Sequence, residues 1–175
     1  MREMIFFFSC GVIMSVPITL FIVQLANPLI MGLDKFSAAL VSTAFLAPLI
    51  EEFSKIFPLF YRHGETQRSI FKLALLVGLG FGLLEFFTYV FVLEAYWPIR
   101  LFGLVFHPAS TSISAYGIAT KRPLPFFAVA VALHFANNFL ALVNPFEINF
   151  SIIIITLTGF ASWRLHVKTQ EKIIV

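Results

Sequence analysis

The chain has 175 residues, of which 59% are hydrophobic and only 12% charged, with a formal net charge of +3. A mean hydropathy of +0.93 and 23 phenylalanines leave too little polar side chain to cover a water-soluble surface, which excludes the soluble enzyme classes. The basic residues fall in short connections rather than on one patch, so a nucleic-acid partner is excluded as well. Cys10 is the only cysteine, which rules out an intrachain disulfide and a thiolate zinc cage and leaves it as a small buried hydrophobe.

Apolar runs that approach the length of a bilayer crossing span about Met4–Gln24, Phe36–Phe60, Ile70–Leu93, Ile99–Ala119, Leu124–Val143 and Ile148–Trp163. They predict an all-α fold, a polytopic transmembrane bundle of about six helices in the cell membrane, forming a single domain over 1–175. The first run has only Arg2 before it and no small-residue cleavage site after it, so it reads as a retained helix that Pro17 should kink. An N-in, C-in orientation puts Arg2, Arg62, Arg68, Lys72, Lys121, Arg122, Arg164, Lys168 and Lys172 on the cytoplasmic side and only Lys35 and Arg100 outside. The longest polar connection, Tyr61–Arg68, is a cytoplasmic lip rather than a domain.

Inside the spans, ionisable residues are costly and by default mark a site. The second run carries Glu51, Glu52 and Lys55, and on a helix the ammonium can pair with either carboxylate. The other carboxylate is then desolvated without a full counter-charge, the usual preparation for proton transfer near neutral pH. In the third run Gly78, Phe81 or Gly82, and Glu85 recur at helical steps, so glycines that admit a neighbouring backbone share a face with a carboxylate. In the fourth, Pro108 follows His107 and precedes the hydroxyls Ser110, Thr111 and Ser112, which predicts a helix break beside the histidine. In the fifth, His134 and Asn138 lie four apart on one face. Counted from the cytoplasmic ends, Glu51 lies about 14 Å deep, Glu85 about 20 Å, His107 about 21 Å and His134 about 18 Å. Convergence at one depth is expected of a shared site lining one cavity.

These residue types suit hydrolysis. A carboxylate can take a proton from water, a histidine can hold that water or protonate a leaving amine, and His134 with Asn138 can donate to a developing oxyanion. Alternatively Glu85, His107 and His134 supply an oxygen-and-nitrogen set for Zn²⁺ with a position left for water. The same groups also suit a non-catalytic scaffold that binds transmembrane substrates, or a proton- or cation-coupled transport path. The absence of an inverted repeat counts against the transporter.

On Glu51-Glu52-x-x-Lys55, Phe81-x-x-x-Glu85, His107 and His134-x-x-x-Asn138, over roughly Ala44–Leu140, the chain resembles the PrsW family of intramembrane proteases. That family is distantly related to the CAAX-prenyl endopeptidases and bacteriocin-processing proteins, and to the multispanning scaffold subunit of γ-secretase. The basic residue of the first motif is a lysine one position earlier than the arginine of CAAX-type enzymes. Glu85 stands where those enzymes have histidine, which favours PrsW. The resemblance implies site-1-type cleavage of single-pass or tail-anchored substrates such as anti-sigma factors. It implies Glu51 as base, Glu52 paired to Lys55, Glu85 and His107 positioning the water or a metal, and His134 with Asn138 at the oxyanion.

Overall fold

Apolar runs of membrane-crossing length become helices because a bilayer leaves backbone N–H and C=O groups no partner outside the segment itself. The computed structural model describes residues 1–61, 66–144 and 148–174. Among them are six long helices: α1 Arg2–Ile30, α2 Lys35–Tyr61, α3 Gln67–Val92, α4 Gly103–Ala119, α5 Pro123–Val143 and α6 Ile148–Lys168. All but α4 contain a stretch long and apolar enough to cross a membrane. The 17-residue α4 packs against α3, α5 and α6, so it is shielded by protein and need not present a full apolar surface to lipid. The chain is therefore an all-α helix bundle, as its apolar runs predict. The expected cytoplasmic lip and Arg62 lie largely in 62–65, outside the described residues.

Two helices are locally wide. In α2 the segment Leu40–Leu46 is π-helical, as is Thr88–Val92 at the end of α3. Such insertions are uncommon and cluster at functional sites. Here one precedes Glu51 and the other follows Glu85. Asp34 starts α2 by accepting hydrogen bonds from the Phe36 and Ser37 amides at 3.0 and 3.1 Å, the usual role of an aspartate at a helix start.

The expected break at Pro108 does not occur; α4 is continuous from Gly103 to Ala119. Pro108 sits early in the helix, where the loss of one donor affects a single ladder bond. The hydroxyls of Ser110 and Thr111 both donate to the His107 carbonyl, at 3.2 and 2.7 Å, and hold that turn together. Similarly, α1 passes through Pro17 and Pro28 without interruption.

Glycines set how closely the central helices meet. A Cβ on Gly80 would lie 2.2 Å from the Phe8 carbonyl oxygen of α1, and one on Gly78 would lie 2.5 Å from the His107 carbonyl oxygen of α4. Helix α3 is thus pressed against α1 on one side and α4 on the other. The face carrying Gly78 and Gly82 is the one that brings His107 to Glu85.

Candidate active site

Four helices deliver one ionisable cluster. Helix α2 contributes Glu51, Glu52 and Lys55, α3 Glu85, α4 His107 and α5 His134. Lys55 and Glu52 are wholly buried and paired at 2.6 Å, the three-residue spacing placing both on the inner face of α2. Glu52 Oε1 also accepts from Ser110 Oγ at 3.1 Å and lies 2.9 Å from His134 Nδ1. An ionised carboxylate only accepts, so this contact places a proton on His134 Nδ1, and in the neutral imidazole Nε2 then carries the lone pair. That Nε2 faces Glu51 Oε2 at 3.8 Å.

His107 is held from both sides. Its Nδ1 lies 3.0 Å from Lys55 Nζ, and its Nε2 lies 2.5 Å from Glu85 Oε2. This close approach pairs the Glu85 carboxylate with His107 on the cavity side. Phe81 packs its ring 5.0 Å from the His107 imidazole and 4.8 Å from Lys55 Nζ, while Phe106 touches both imidazoles. These rings fix the imidazoles with their own centroids 5.5 Å apart. A cavity of about 310 Å³ runs from Glu85, His107 and His134 to the connection between α3 and α4, where Tyr96 and Arg100 line it.

The six ionisable residues expected from the sequence therefore meet, but Glu51, expected on the cavity wall with Glu85, His107 and His134, is not among the residues that line it. Asn138 lines the same cavity, and its Nδ2 donates at 3.0 Å to the Thr43 carbonyl in the π-helical part of α2. Ser110 stood out only as part of a hydroxyl cluster; its hydrogen bond to Glu52 crosses 58 positions and has no local signal. Among the described residues, a group that could hold an ion together is Glu51, His107 and His134, whose ligand atoms all lie within 4.8 Å of one another; it shares both histidines with the expected Glu85, His107 and His134. Glu85 instead approaches His107 from the cavity side.

Two histidine nitrogens and one carboxylate oxygen are a donor set that fits a divalent cation of the zinc type. Glu52 on Nδ1 orients His134 as carboxylates orient metal-binding histidines. His107 can offer Nε2 only in exchange for its contact with Glu85.

The fold and this cluster define a polytopic membrane protein with a hydrolytic type of site enclosed among its helices. The chain belongs to the PrsW family of intramembrane metalloproteases, whose profile matches residues 1–163. It is an integral membrane protein and, by that membership, an intramembrane protease. No curated protein and no solved structure matches it.

Proposed function

We propose that the protein cuts single-pass or tail-anchored proteins of the cell membrane, of the anti-sigma-factor kind, near their extracytoplasmic membrane boundary. The observation that carries this reading is the approach of Glu51 to the lone-pair nitrogen of His134, beside a cavity that reaches the α3–α4 connection. Water and an unwound substrate segment need such a route, because an exposed backbone is tolerated at membrane depth only where it lines a cavity.

Each residue has a distinct task. Glu52 accepts from Lys55, Ser110 and His134, and so orients His134 rather than reacting itself. Lys55 balances the Glu52 charge and fixes His107. With its proton on Nδ1, neutral His134 has no donor left for an oxyanion at Nε2, so that role falls to the second N–H of Asn138. A metal held by Glu51, His107 and His134 would supply Lewis acidity, easing ionisation of a water and polarising a carbonyl. Glu85, facing the cavity, would then be the proton acceptor. Without a metal, Glu51 is the base.

Purified protein in lipid, mixed with a single-pass substrate, tests the reading. Cleavage near the boundary and its loss in Glu51→Gln are expected. Metal is measured on the same sample, and activity is followed through chelation and zinc return. No cleavage across a panel of anti-sigma-like and tail-anchored substrates by a folded protein would overturn it.

A further inference from the structure

The mouth of the cavity carries a cation that hydrolysis does not use. Arg100 ends the single helical turn Trp97–Arg100 and lines the cavity that also reaches Glu85, His107 and His134. Its guanidinium carbon sits 3.6 Å from the centroid of the Tyr89 ring. Stacking occupies the face of a guanidinium, and beside the hydrogen bond that Arg100 makes with the Tyr89 hydroxyl, further N–H donors of its five radiate in the plane for acceptors at the edge. Among the described residues, no carboxylate lies within ion-pair distance of Arg100. The carboxylate on the cavity wall, Glu85, is taken up by His107. A planar fork of donors, held rigid and facing a cavity, matches a carboxylate.

We propose that Arg100 is a specificity-determining residue, which takes an acidic side chain of the substrate segment entering the cavity. This rests on the reading that the cavity admits an extended peptide. Tyr89 lies four positions beyond Glu85 on α3, a rise of about 6 Å. An extended chain advances about 3.3 Å per residue, so the acidic side chain falls about two residues from the scissile bond. Tyr96 and Trp97, exposed beside Arg100, are the residues that anchor a segment at the level of lipid headgroups. The preferred substrate therefore carries an Asp or Glu just outside its membrane span.

The test uses the full chain in phosphatidylcholine vesicles and a single-pass substrate with Asp, Asn or Lys at each of three positions either side of the mapped cut. The wild type should favour Asp over Asn about tenfold in kcat/KM at one position, the effect of about 1.4 kcal/mol. In Arg100→Gln that ratio should fall to about one, and in Arg100→Glu the preference should pass to Lys. Substrate affinity is measured in parallel on the Glu51→Gln protein, with and without Arg100→Gln. A tenfold affinity ratio for Asp that is lost with Arg100 upholds the inference even where no substrate is cut. Cleavage of all substrates alike would overturn it and leave the hydrolytic reading standing. A preference that persists in Arg100→Gln would overturn it too. So would a dependence on added phosphatidylglycerol in place of the substrate residue, which would make Arg100 a lipid-phosphate ligand. If Arg100→Gln does not fold, the positional scan of the wild type decides: a flat profile sinks the proposal.

Discussion

Glu51 and Glu52 are adjacent in sequence and differ in their surroundings. Glu52 is wholly buried with three donors on one oxygen, whereas Glu51 is 8% exposed and faces the free nitrogen of His134. Removing one member of a buried ion pair leaves the other charge uncompensated, at a cost of about 3–5 kcal/mol. Glu52→Gln should therefore lower thermal stability in detergent markedly, while Glu51→Gln should abolish cleavage and, compared in metal-free protein, melt like the wild type. Unchanged cleavage in Glu51→Gln would remove it from the chemistry. A second comparison separates the two ways of activating water. If a metal is held by Glu51, His107 and His134, Glu51→Gln loses the metal. Glu85→Gln retains it and still loses turnover. Equal metal content in the two variants would refute that assignment.

That Lys55 pairs with a neighbouring carboxylate was legible in the sequence because it is local. Three- and four-residue spacings both allow a pair, so only the family resemblance pointed to Glu52 rather than Glu51. The competition between Glu51 and Glu85 for the place beside both histidines was not legible. It depends on how α2 and α3 are rotated, which no spacing within either helix specifies.

At the scale of the element, two features of α2 and α3 explain why four helices can bring charge to one point. Glycines let α1 and α4 approach the α3 backbone, and a π-helical turn in α2 precedes Glu51 while another in α3 follows Glu85. Glycine spacing was legible, since Gly78, Gly82 and Glu85 share a face by helical arithmetic. The π-helical turns carry no comparable signature, and Pro108 pointed to a break that does not occur, because a proline so early in the helix removes a single ladder bond. Gly78→Ala should therefore behave differently from Gly159→Ala. At Gly78 the added methyl meets backbone at 2.5 Å and forces α3 and α4 apart, an overpacking cost of about 1–3 kcal/mol that also moves His107. At Gly159 nothing lies within 4 Å, and alanine should be tolerated or mildly stabilising. Melting temperature and cleavage measured on both variants check this. Equal behaviour would deny the close α3–α4 contact its role in placing His107.

For the whole molecule, what matters is which side of the membrane the cavity faces. Phe7 packs with Leu59, Ile70 and Ala119, which puts the start of α1, the end of α2, the start of α3 and the end of α4 at one end of the bundle. The C-terminal segment joins them there. Ile173 bridges to Thr66, the Lys172 and Gln170 carbonyls accept from the first amides of α3, and Arg68 reaches Glu171 at 3.6 Å. Arg68, Lys72, Lys168 and Lys172 gather at this end, while Arg100 and the cavity mouth lie at the other. The bias of lysine and arginine toward the cytoplasm therefore predicts a mouth that faces outward. Replacing Cys10 with Ser leaves a chain without cysteine, into which one reporter at a time can be placed. Met31→Cys, at a site 81% exposed beyond the end of α1, should react with a membrane-impermeant maleimide in intact cells. Gln170→Cys should react only after permeabilisation. The opposite pattern would turn the cavity toward the cytoplasm, and with it the side of the membrane on which substrates are cut.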